Sequence, residues 1–264
     1  MKASKIIETM EKWVPKELVD SWDNTGFQIG DPEEEVKKIL IALDLDKDVL
    51  EKAIKENFQM VITHHPIIFR PLTSITKEDH NTGIILEAIK NDIVVYNAHS
   101  NLDLADGGVN DSLADILGLK NTSPLSIVKK ESLPQQIGYG RIGYVDNIRF
   151  DDFLDLIKAK LSVSHLIVYG ERKGYIDKVA LCGGSGSDFI LDAHKNGADI
   201  YITGDIKYHD AQYGHELGLT IIDAGHFNTE KVVLPSIESY LEREFENEVE
   251  IEVLMESSLP QYIY

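Results

Sequence analysis

Metal-capable side chains stand where apolar runs end in this sequence. Met60-Val61-Ile62-Thr63 leads into His64-His65-Pro66, and Ile93 to Ala98 leads into His99, with Asp103 four residues on. Tyr201-Ile202-Thr203 leads into Gly204-Asp205 with His209 beyond, and Leu219 to Asp223 leads into His226 and Glu230. Neighbouring side chains in an extended segment point to opposite sides, so His64 and His65 suit two metals side by side better than one shared ion. An isolated His-His pair is more often one packed and one exposed histidine. The company at the other strand ends argues for chemistry. His226 and Glu230, four apart at the start of a helix, share a face if the first turn already winds there. His64, His65, Asp103, His226 and Glu230 together supply three imidazoles and two carboxylates. That mixture suits Zn, Fe, Mn, Co or Ni and does not choose between them. Five ligands leave open positions on two ions for water or substrate, as a reactive site does. His99 and His209 are candidate catalytic groups, as orienters of the ligands or as proton carriers. Asp205 and His209 read equally well as capping or turn residues, and His80, His165, His194 and His215 read as structural.

Strands must deliver these residues, and helices must return the chain. Apolar runs at 38–44, 59–63, 93–98, 139–145, 165–169, 178–181, 199–203, 219–223 and 249–255 alternate with helical patterns near 4–13, 47–57, 80–90, 110–117, 150–161, 187–196, 207–216 and 229–245. Such alternation means βαβ units, an α/β fold with mostly parallel sheets. Ligands in such folds gather beyond the carboxyl ends of strands. The polar stretch Asn121 to Ile137 suggests a boundary between two related halves, 1–127 and 128–264, within one domain spanning 1–264, with the metal site between them. Thr63-His64-His65 against Thr203-Gly204-Asp205, and His99-Ser100-Asn101 against His226-Phe227-Asn228, hint at a duplication. Trp22-Asp23-Asn24-Thr25-Gly26 reads as a structural turn before a short strand. Gly183-Gly184-Ser185-Gly186 follows a strand and opens a helix. Its N–H groups are a candidate anion pocket, although a tight turn is the blander reading, and it is neither a dinucleotide fingerprint nor a P-loop. Cys182 beside it reads as a buried structural thiol.

The 264 residues include 26 Lys and Arg against 45 Asp and Glu, a formal charge of −19. That field attracts neither a nucleic-acid backbone nor an anionic membrane, so direct nucleic-acid binding is not expected. A single cysteine excludes an intrachain disulfide and a Cys-rich zinc site. With no membrane-length apolar run and no signal-like N-terminus, a cytoplasmic protein is expected.

The motifs Trp22-Asp23-Asn24-Thr25-Gly26, Thr63-His64-His65-Pro66, His99-Ser100-Asn101-Leu102-Asp103, Gly183-Gly184-Ser185-Gly186, Thr203-Gly204-Asp205 with His209, and Asp223-Ala224-Gly225-His226 with Glu230 occur in order over nearly the whole chain. Together they resemble the NIF-three-like family, whose members are named GTP cyclohydrolase I type 2 homologues. The resemblance implies two divalent metal ions per chain on His64, His65, Asp103, His226 and Glu230, and a toroidal homohexamer with its sites facing an inner cavity. It also implies the short form of the family, with at most a compact substitute for an inserted domain around residues 128–175. The activity it suggests is metal-dependent hydrolysis of a purine nucleotide or similar small molecule. For GTP that means opening the guanine imidazole ring at C8 with loss of formate. Lys207, Arg70 and the Gly183–Gly186 turn are the candidate phosphate contacts. A metal-delivery or regulatory protein on the same toroid is the alternative.

Overall fold

The computed structural model describes residues 1–128, 136–246, 248–257 and 259. In chain order the elements are α1 (Ala3–Trp13), β1 (Gly26–Ile29), β2 (Lys38–Ala42), α2 (Lys47–Lys55), β3 (Met60–Thr63), α3 (His80–Lys90), β4 (Val94–Asn97), α4 (Ser100–Leu104) and α5 (Val109–Ile116). There follow β5 (Lys120–Val128), β6 (Ile137–Arg149), α6 (Phe150–Leu161), β7 (Ile167–Tyr169), β8 (Tyr175–Ser185), α7 (Ile190–Lys195), β9 (Ile200–Gly204), α8 (Tyr208–Glu216), β10 (Thr220–Asp223), α9 (His226–Glu230), α10 (Leu234–Phe245) and β11 (Glu250–Val253). The chain divides into two compact units, one of residues 1–102 with 234–264, the other of residues 103–233. The boundary expected near 127/128 falls at the end of β5, and residues 129–135 of the polar stretch lie outside the described residues.

The first unit holds a five-stranded sheet in the order β1-β4-β3-β2-β11. β4, β3, β2 and β11 run parallel, and β1 closes one edge antiparallel to β4. All four residues of β3 and of β4 are buried. That is why they read as unbroken apolar runs rather than an alternation: a parallel strand covered on both faces has no solvent side. Leu40, Val61 and Val95 pack with Val49, Leu50 and Ala53 of α2 and Ile84, Ile85 and Ala88 of α3. α1 and α10 meet through Trp13 and Tyr240, with ring centroids 4.8 Å apart, and the Tyr240 hydroxyl donates to the Thr9 carbonyl at 2.9 Å.

The second unit holds a six-stranded sheet in the order β5-β6-β8-β9-β10-β7. Its centre, β8-β9-β10, is parallel, while β5, β6 and β7 pair antiparallel. Parallel pairing therefore dominates the first sheet and forms the heart of the second. Alternate residues feed two cores, as a two-residue period demands. Val179, Leu181, Ile200, Ile202 and Ile222 pack with Leu113, Phe153 and Ile157. Ala180, Cys182, Tyr201 and Ile221 pack with Ile190, Ala193 and Ala211.

Candidate metal centre

In the first unit the strand ends at Thr63 and the chain turns. His64 N and His65 N both donate to the Leu43 carbonyl, at 3.2 and 3.0 Å, and the Thr63 hydroxyl donates to the His65 carbonyl at 2.8 Å. The two histidines therefore do not splay to opposite sides as in a continuing strand. Their rings lie 5.0 Å apart, and His99 joins them at 5.2 and 5.6 Å. One ring nitrogen from each of His64, His65 and His99 lies within 4.8 Å of the others.

Each ring is held by its other nitrogen. His64 Nδ1 meets the Ala98 carbonyl at 2.8 Å, His65 Nδ1 meets Asp44 at 2.8 Å, and His99 Nδ1 meets Asp23 at 2.8 Å. Because these partners are carbonyl or carboxylate oxygens, Nδ1 bears the N–H, and in the neutral ring Nε2 then carries the lone pair. This is the tautomer a metal requires, fixed by the partner outside the cluster. Asp23 anchors more than His99. Its buried carboxylate also accepts from the Ser100 hydroxyl at 2.6 Å, Ser100 N at 3.1 Å and the Thr25 hydroxyl at 2.6 Å. Burial alone would raise this carboxyl's pKa, but the bonds from His99, Ser100 and Thr25 hold it well below the usual carboxylate range.

In the second unit α9 begins at His226 itself, one turn of helix that sets His226 Nε2 3.0 Å from Glu230 Oε2. His226 Nδ1 meets Asp205 at 2.8 Å, repeating the arrangement of the first unit. Asp205 is thus an orienting residue rather than a cap, and it holds a left-handed backbone, φ 56°, to do so. Asp223 is the last residue of β10, and its carboxylate accepts from Ile206 N at 3.0 Å and Gly225 N at 2.9 Å. Asp103 lies on α4 rather than in a loop, half-buried, with the Asn110 amide donating to its carbonyl at 3.0 Å.

Two sequence expectations change. β8 runs on to Ser185, so Gly183, Gly184 and Ser185 are strand residues and Gly186 alone separates the strand from the helical turn that follows, where a loop after Leu181 was expected. Three of the four backbone donors in this stretch are already used: Gly183 N donates to Asn110 Oδ1 at 3.0 Å, Gly184 N to the Thr229 hydroxyl at 2.9 Å and Gly186 N to the Thr203 hydroxyl at 2.9 Å. The glycines serve close approach. Gly184 has φ 64°, and a Cβ there would collide with the Glu230 carboxylate. Second, His209 is exposed, its ring set edge-on to Tyr208 at 5.2 Å, and among the described residues no hydrogen bond orients it. Cys182 is buried as expected. Burial first, then the charges of Asp103 and Glu230, push its thiol pKa well up.

The sequence reading passed over Asp44 and took Asp23 for a turn residue. Asp44 follows β2 as the other candidates follow their strands, and that position was the available signal.

Oriented histidines at the strand ends of this α/β protein form candidate metal-binding groups. The chain belongs to the Duf34/NIF3 (NGG1p interacting factor 3) family, whose pattern matches residues 1–260. A Clostridium perfringens protein named GTP cyclohydrolase 1 type 2 homolog is 37% identical over 98% of both chains. A Methanocaldococcus jannaschii protein of the same name is 34% identical over 94% of this chain and 98% of its own. The fold is that of a Bacillus cereus protein related to NIF3, with TM-score 0.93, 28% identity, and coverage of 100% of this chain and 99% of the other. Reduced HcgD from M. jannaschii superposes with TM-score 0.83 at 33% identity, covering 96% and 98%. Among the described residues no helix is long and apolar enough to cross a membrane.

Proposed function

We propose that the chain is a metal-dependent hydrolase that holds two divalent ions on His64, His65, Asp103, His226 and Glu230, acts on a purine nucleotide or similar small molecule, and assembles as a homohexamer. One observation carries the reading: His64, His65, His99 and His226 each commit Nδ1 to a backbone carbonyl or a carboxylate, which leaves Nε2 as the candidate ligand atom, and His226 Nε2 already faces the Glu230 carboxylate at 3.0 Å. Four such coincidences are hard to reconcile with surface histidines, and a donor set of imidazole and carboxylate fits a first-row divalent metal. Bound ions would lower the pKa of water and polarise the substrate. Asp44 and Asp205 keep His65 and His226 in register. His99, braced by Asp23, accepts and returns a proton at Nε2, a role that the unbraced His209 does not share. The names of the relatives support a purine nucleotide as substrate.

The test is metal content per chain after reconstitution, with light scattering for the assembly. Two ions are expected in the wild type and in His99→Ala, with fewer in His65→Ala and Glu230→Ala, and the particle mass should be six times that of the chain. His99→Ala should lose at least about a hundredfold in turnover while keeping its metal. No stoichiometric uptake would overturn the reading. Full loading with neither formate nor pterin from GTP would remove GTP as the substrate.

A further inference from the structure

Two large aromatic side chains stand in solvent beside the histidine cluster: Trp22 is 59% exposed and Phe69 43%. Their ring centroids are 6.2 Å apart, and each ring lies steeply against His99, at 5.9 Å for Trp22 and 6.3 Å for Phe69. The aromatic wall therefore continues from the ring that touches His64 and His65.

The wall is braced rather than loose. Gln28 Oε1 accepts from Ile68 N at 2.9 Å, Gln28 Nε2 donates to the Asn24 carbonyl at 2.7 Å, and Asn24 Nδ2 donates to the Ile68 carbonyl. These bonds tie the segment that carries Phe69 to the segment that carries Trp22. Asp23, next to Trp22, is itself fixed by His99 and Ser100. The Trp22–Gly26 stretch thus does two things: it orients His99 and it sets two rings in the open. Exposed aromatic area held in place by backbone clamps adds little to a core, but it suits a ligand with a π-face.

We propose that Trp22 and Phe69 form a stacking platform for a planar heteroaromatic ring of the purine class, presented to the His64, His65 and His99 cluster. The proposal rests on the hydrolase reading for its chemistry and adds how the flat part of the substrate is held. A ring sandwiched between the pair would need about 7 Å, two contact distances, so the ligand lies across their outer faces. The two rings carry no charge. They recognise the base and leave sugar and phosphate to other groups.

The chain has two tryptophans, and Trp13 packs on Tyr240, so Trp13→Phe leaves Trp22 as the only indole reporter. Guanosine, adenosine and ribose 5-phosphate are titrated into this variant, metal-free and metal-loaded, while tryptophan emission is followed. Saturable quenching by the nucleosides and none by ribose 5-phosphate is expected. Adding Phe69→Ala should weaken nucleoside binding roughly tenfold and leave metal content unchanged. Emission indifferent to guanosine in both forms would overturn the platform, as would equal affinity in the Phe69→Ala protein. So would a free-state emission already blue-shifted and shielded from acrylamide, the mark of rings covered by another copy. Quenching without metal uptake sinks the hydrolase reading alone, whereas metal uptake without quenching sinks the platform alone.

Discussion

A histidine offers a metal one nitrogen, and whatever touches the other nitrogen decides which. The residue types and their places at strand ends were legible in the sequence, because an apolar run that stops at a polar residue is visible without coordinates. The acceptors were not: Asp44 lies 21 residues from His65, Asp205 21 from His226 and Asp23 76 from His99. Only the sheet brings such pairs together. Asp23 lends itself to a stability test. Its folded pKa lies below the unfolded value of about 4, so its stabilisation is complete above that pH and drains away as pH falls below it. Asp23→Ala should cost about 3 kcal/mol at neutral pH in urea unfolding, and the gap from wild type should narrow on acidification. Gly184→Ala faces both its left-handed backbone and Glu230, so a loss of about 2–4 kcal/mol is expected, read as a lower Tm. Cys182 should resist iodoacetamide at pH 8.5 in native, metal-free protein and react once unfolded, because burial and neighbouring carboxylates keep it a thiol.

At the scale of elements, the periodic helices were legible to within a few residues: α2, α3 and α6 bury apolar residues at helical spacing, and α2 and α3 open on the aspartate caps Asp46 and Asp79. β8 was read too short because glycines look like a turn; here their N–H groups donate to side chains of α5 and α9 while the strand continues. β5 was read as a linker because it is polar and contains Pro124. It is an edge strand paired on one side with β6, where proline is tolerated. Caps carry a separate prediction. Asp46 begins α2 by accepting from Val49 N at 2.9 Å. Asp46→Ala should cost about 1 kcal/mol in thermal or urea unfolding and leave metal content unchanged.

At the scale of the molecule, the two units were less legible than their strands, because composition shifts only weakly along the chain and the first unit is discontinuous in sequence. β11 pairs with β2 in parallel register, Glu250 with Lys38 through Val253 with Ile41. Deleting residues 249–264 should leave amide protection in residues 136–233 near wild type while β2 and α10 lose theirs in hydrogen exchange. The same pairing sets a schedule for the cell. A ribosome that has made β2 must add some two hundred residues before β11 appears, which at roughly 5–20 residues per second takes at least about ten seconds. Throughout that interval the backbone along one side of β2 lacks its strand neighbour, a sticky margin on a nascent chain. The second unit, continuous in sequence, can finish first. Slowing translation should therefore prolong the nascent chain's dependence on chaperones rather than relieve it.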